Sequence, residues 1–187
     1  MSSESKMPIK QLTQMAMMAA ISIVVVFFVR FPIIPAAPFL EYTPAEVPLM
    51  MAALLYGPVV GFILTVVVAV VQGMTVSAHS GIIGIIMNIL STGSYVLAAG
   101  LIFHNSRNKN TGNAVVAMLA GIVVTCAVMM VWNIIFTPIF MGVPRQVVIN
   151  MILPVFIPFN FIRAGVNSII AIVAWQAVGD WLLRQVK

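Results

Sequence analysis

The chain has 187 residues, of which 62% are hydrophobic and 7% charged, and its mean hydropathy is +1.14. A soluble core of this length needs charge on every outer side, so the composition excludes a soluble domain and marks an integral membrane protein. The formal charge of +5 comes from nine scattered basic residues, most of them beside apolar spans, which excludes nucleic acid as a partner and points to membrane flanks.

Lys6 and Lys10 lead into an apolar stretch with no small-residue cleavage site before Arg30, so the first helix, about 11–29, is expected to be retained rather than removed as a signal peptide. Within it Ala16 and Ala20 stand four apart, a spacing that lets another helix approach closely, from within the chain or from a partner. The Pro-rich stretch 31–43 reads as a long loop. A second helix, about 44–56, starts at Pro44, stops at Gly57-Pro58 and is too short to cross a bilayer alone. Glu46 falls in its first turn, where the helix dipole favours a carboxylate, and capping is a sufficient explanation for it.

A third helix covers about 59–76, residues 77–80 form a break around His79, and a fourth helix runs over about 81–103. The most polar internal stretch, 104–113, carries Arg107 and Lys109 and reads as a surface loop. A fifth helix spans about 114–136 and ends near Thr137-Pro138. Gly142, Pro144 and Arg145 lead to a short helix at about 147–153, which Pro154 and Pro158 break before a sixth helix at about 159–185. The expected fold is a single all-α membrane domain with six transmembrane helices and a long loop after the first.

Lysine and arginine are enriched on the cytoplasmic side of membrane proteins. Placing both termini inside puts Lys6, Lys10, Arg107, Lys109, Arg184 and Lys187 in the cytoplasm and leaves Arg30 and Arg145 near outer loops. The loop at 31–43, the break near His79 and the connection at 142–145 then face outward.

Asn160, Arg163 and Asn167 interrupt the last apolar run at helical spacing and share one face. Arginine at the middle of a membrane helix costs roughly 2.5–3.5 kcal/mol on insertion scales and ordinarily faces a protein interior or a wet cavity. Two readings stand: one half of a ligand site, or an arginine that snorkels beside asparagines that pin neighbouring helices. Pro154 and Pro158 favour the first, because non-helical backbone at membrane depth is tolerated where it lines a cavity. Asn88, Thr92 and Tyr95 form a stripe on the fourth helix, and Asn133 lies near the outer end of the fifth. Phe39, Tyr42, Trp132, Phe136, Phe140, Phe159 and Phe161 surround these groups, each singly explained as core or interfacial belt and together suited to a flat heteroaromatic ligand.

Catalytic chemistry finds no support. The chain has no HExxH and no GxxxxGK[ST], and His79 and His104 are expected on opposite sides of the membrane, so no metal site is expected. Asp180 and Arg184 have the spacing of an ordinary helical surface pair, and the lone Cys126 reads as a packing residue.

The segments Ala37-Pro-Phe-Leu-Glu-Tyr-Thr-Pro-Ala-Glu-Val-Pro-Leu, Ser80-Gly-Ile-Ile-Gly-Ile-Ile-Met-Asn-Ile-Leu-Ser-Thr-Gly-Ser and Ile157-Pro-Phe-Asn-Phe-Ile-Arg-Ala-Gly-Val-Asn-Ser resemble the riboflavin-specific substrate-binding subunits of energy-coupling factor (ECF) transporters, over nearly the whole chain. The resemblance implies a vitamin carrier without enzymatic activity or cofactor, with riboflavin as its transported ligand. It would dock through Ala16 and Ala20 on a transmembrane coupling subunit driven by two ATPases, and topple in the cell membrane to deliver the ligand inward. It further implies Phe39, Leu40, Thr43, Asn88, Thr92, Asn133, Asn160, Arg163 and Asn167 as ligand contacts. Arg163 stands where the family commonly has lysine, and its planar fork could equally suit the phosphate of flavin mononucleotide (FMN). A carrier for another vitamin and a small non-transporting membrane protein are the remaining alternatives.

Overall fold

The computed structural model describes residues 8–35, 37–179 and 181–183. Lys6, Arg184, Lys187 and the expected pair of Asp180 with Arg184 lie outside the described residues. Backbone in hydrocarbon must satisfy its own hydrogen bonds, so even the β-branched run Val66-Val67-Val68 is helical. The helices are α1 (Ile9–Phe28), α2 (Glu46–Tyr56), α3 (Pro58–Met74), α4 (Gly81–Asn105), α5 (Thr111–Met141), α6 (Arg145–Met151) and α7 (Ile157–Ala174). Among the described residues, four stretches are long and apolar enough to cross a membrane: Ile9–Phe28, Ala78–Asn105, Thr111–Met141 and Arg145–Gly179.

The described residues form seven α-helices where six transmembrane helices and a short one were expected, and the expected long loop is partly ordered. After α1 the chain forms a small hairpin, with strand β1 (Phe31–Pro32) antiparallel to β2 (Glu41–Tyr42) and Phe31 opposite Tyr42. The prolines near the C-terminus do not break the helix. A π-helical turn, Ile152–Phe156, carries α6 into α7, and its wider backbone accommodates Pro154, which cannot donate to a regular helical turn. Pro158 falls in the first turn of α7, where a missing N–H is harmless. α5 likewise continues past Thr137-Pro138 to Met141 and stops at Gly142, whose φ of 65° is left-handed. Its start is capped by Asn110, whose side chain accepts the Asn113 N–H at 2.9 Å.

α4 sits at the centre of the bundle between α3 and α5, with α2 filling the interior and α1 at the edge, packed chiefly on α2 and α3. Close crossings use small residues. A Cβ at Gly61 would stand 2.6 Å from the Ala53 Cβ and 2.7 Å from the Val96 Cγ1, so α3 touches α2 and α4 there with no space for a side chain.

Three connections gather at one end of the bundle. Arg30 donates through Nη1 to the Val76 carbonyl at 2.6 Å and the Ser77 hydroxyl at 2.9 Å, while its Nε pairs with Glu41 at 3.1 Å. The Phe39 ring stands 6.0 Å from Phe140 and 6.5 Å from Phe156, bringing the hairpin over α5 and the π turn. At the other end Lys109 Nζ caps α4, donating to the Phe103 and His104 carbonyls at 2.7 Å each. Partial burial lowers the pKa of that ammonium.

Gly61→Val is expected to lower the thermal midpoint of the detergent-purified protein, at a cost of about 1–3 kcal/mol for an overpacked crossing. An unchanged midpoint in a thermal scan would remove Gly61 from the packing argument.

Candidate functional site

Beneath the gathered connections lies a cavity of about 160 Å³. Phe39, Leu40 and Thr43 reach it from the hairpin and the turn after it, Asn88 from α4, Asn133 from α5, and Asn160 and Arg163 from α7. Phe140 and Phe159 complete an aromatic side. Thr92 and Asn167 stand one layer behind the wall, where they hold a group that sequence reasoning assigned elsewhere.

That group is Glu46. Its carboxylate is 4% exposed and forms an ion pair with Arg163, instead of serving only the α2 terminus. Arg163 Nη2 donates to Glu46 Oε1 and to Thr92 Oγ1, the latter at 2.8 Å, and its Nη1 donates to Ser91 Oγ at 2.7 Å. The Thr92 hydroxyl donates to Glu46 Oε1 at 2.8 Å, and Asn167 Nδ2 donates to Glu46 Oε2 at 2.7 Å and to the Thr43 carbonyl at 3.2 Å. Tyr42 completes the set, donating to Asn167 Oδ1 at 3.0 Å. Burial holds the Tyr42 phenol above its ordinary pKa range and the Glu46 charge adds to the rise, so the tyrosine remains a donor. Arg163 Nε is buried without a partner.

Most cavity amides are already engaged. Asn88 Nδ2 donates to Gln72 Oε1 at 2.8 Å, and Gln72 Nε2 reaches Ser77 Oγ at 3.4 Å. Asn133 Nδ2 donates to the Met129 carbonyl at 2.6 Å while its Oδ1 accepts from Thr137 at 2.8 Å. Asn160 Nδ2 donates to the Phe156 carbonyl at 2.8 Å, at the end of the π turn, and no described residue donates to its oxygen. The site can therefore offer an amide oxygen to a polar edge, beside aromatic surface for a ring.

Several residues escaped the sequence reading. Gln72 and Ser77 line the cavity from α3 and the turn after it, and Ser91 lines it beside Thr92. Gln72 carried the same signal as Asn88, an amide inside an apolar helix. Among the expected aromatics, Trp132 and Phe136 stack on each other at 5.4 Å and do not line the cavity, and Phe161 is 60% exposed on the outer face of α7.

The chain matches the family model of the ECF transporter substrate-specific component over residues 10–174. It is 27% identical over 183 residues to the riboflavin transporter RibU of Staphylococcus aureus (strain TCH60), covering 94% of this chain and 93% of that protein. It also resembles a solved S component of a bacterial ECF transporter, with a TM-score of 0.78 at 26% identity over 92% of this chain and 97% of the other.

Arg163→Ala leaves the Glu46 carboxylate buried and uncompensated, a change that typically costs about 3–5 kcal/mol. The ligand-free variant is expected to unfold at a clearly lower temperature than Asn88→Ala, which loses only neutral hydrogen bonds, to Gln72 and Thr92. Equal midpoints for the two variants would show that the ion pair is not structural.

Proposed function

Since the chain belongs to the family of ECF transporter substrate-specific components, we propose that it is the riboflavin-binding membrane subunit of such a transporter, taking the vitamin from outside and passing it inward when docked to an ATP-driven module. The observation that carries this reading is the similarity to RibU along nearly the whole chain, joined to a cavity that combines aromatic wall and amide edge. Riboflavin has a flat, largely apolar ring system with amide-like donors and acceptors on one side. Phe39, Phe140 and Phe159 suit its faces, and the free oxygen of Asn160 suits an imide N–H. The ribityl hydroxyls suit Thr43, Asn88 and the polar groups near Ser77.

Putting both termini in the cytoplasm, as the distribution of basic residues favours, turns the cavity end outward. Lys10, Arg107 and Lys109 then lie inside, and Arg30 and Arg145 outside. Ala16 and Ala20 are on the exposed face of α1, opposite the buried Met15, Ala19, Ser22 and Val26, where small residues suit close contact with a helix of the coupling subunit. ATP hydrolysis belongs to partner ATPases. The ligand is cargo, and no resident cofactor takes part.

An absorbance spectrum of detergent-purified protein, followed by riboflavin titration against tryptophan fluorescence, tests the assignment. Flavin bands or saturable quenching that thiamine and biotin do not reproduce are expected, and a colourless protein indifferent to riboflavin would overturn it. Asn160→Ala should weaken riboflavin binding by about 1–3 kcal/mol, the scale of a ligand donor left unpaired. Ala20→Trp should abolish uptake in cells that contain the whole transporter while riboflavin binding by the isolated subunit persists; uptake at the normal rate would remove α1 as the docking face.

A further inference from the structure

The cavity wall carries charge without net charge. Its charged lining residues are Arg163 and Glu41, and each is matched: Arg163 by Glu46 from behind, Glu41 by Arg30 at 3.1 Å near the mouth. The guanidinium is also held by orientation. Both terminal nitrogens are taken by Glu46, Thr92 and Ser91, which leaves Nε as the one nitrogen without a partner. A phosphate is recognised by the two-pronged fork of an arginine, and here that fork is already occupied.

Glu46 cannot easily yield its partner. Thr92 and Asn167 anchor its two oxygens, and Tyr42 in turn fixes the Asn167 amide. Freeing Arg163 for an anionic ligand would strand a carboxylate that is 4% exposed. With the pair intact, an incoming anion meets a short dipole in place of a cation.

We propose that Glu46 is a specificity-determining residue: by neutralising Arg163 it restricts the site to ligands without net charge and disfavours their phosphate esters. This rests on the flavin reading above. Riboflavin is uncharged near neutral pH, whereas FMN carries a phosphate of about −1.5 to −2.

The test uses the full chain in detergent as wild type, Glu46→Gln, Arg163→Met and the double variant, with riboflavin and FMN titrated against tryptophan fluorescence near neutral pH. The readout is the ratio of the FMN to the riboflavin dissociation constant, which cancels any general loss of affinity. Glu46→Gln, which keeps the shape and one of the two acceptor oxygens, should lower the ratio by about tenfold for each unit of phosphate charge, the order expected for one uncompensated charge acting over roughly 10 Å at an effective dielectric of about 20. Arg163→Met should raise it, and the double variant should return it towards wild type. A ratio unchanged in Glu46→Gln, or shifted the same way in both single variants, overturns the role of Glu46 while leaving the flavin assignment intact. If size-exclusion and thermal scans show that Glu46→Gln does not fold, Arg163→Met is read against wild type, and an unchanged or lowered ratio overturns the proposal. Wild type that binds neither flavin overturns the flavin reading and this proposal with it.

Discussion

A guanidinium inside a membrane-embedded bundle needs a carboxylate within reach, and most of the geometry around the cavity follows from how this chain provides one. Glu46 comes from a helix too short to span a bilayer, and its position beside Arg163 fixes α2 against α7. Thr92 adds α4 to the same point, and Asn167 with Tyr42 and Thr43 ties down the hairpin. Three parts of the chain distant in sequence, residues 42–46, Thr92 on α4 and residues 163–167 on α7, therefore meet at one ion pair. An arrangement of this kind contributes less to stability than its hydrogen bonds suggest, because both ions give up hydration. Its value lies in allowing only one relative placement of the elements that bear it.

The helical class and the membrane setting were legible because hydrocarbon leaves the backbone no alternative to internal hydrogen bonding, so apolar runs translate directly into helices. The polar interruptions were legible for the related reason that Asn133, Asn160 and Arg163 cannot face lipid without a partner. What could not be read was which partner each would have. Glu46 stands at a helix start, where the dipole gives a local reason for a carboxylate, and the longer-range reason is 117 residues away in sequence. The prolines misled in the same manner: Pro154 and Pro158 signal a break, but one extra residue in a turn lets the axis continue. The hairpin escaped because two-residue strands leave no periodicity to detect.

Family membership does not by itself explain the site, because a fold carries its function in the groups grafted onto it. The lower bundle, where α2, α3 and α4 cross at Gly61 and Gly100, is packed without space for a methyl group. The upper end is built of a hairpin, a 3₁₀ turn and a π turn, elements that can change side chains with little effect on the crossings beneath.

The mutual pairing of the cavity amides has a thermodynamic consequence. Asn88 is joined to Gln72, and Asn133 to Thr137 and its own helix, before any ligand arrives. A ligand that bonds to these groups exchanges partners instead of adding bonds, so the polar contacts select its shape and edge while the net driving force falls to the removal of ring surface from water. The calorimetric mark of such a site is a negative heat-capacity change on binding, with the enthalpy a poor guide to which hydrogen bonds matter.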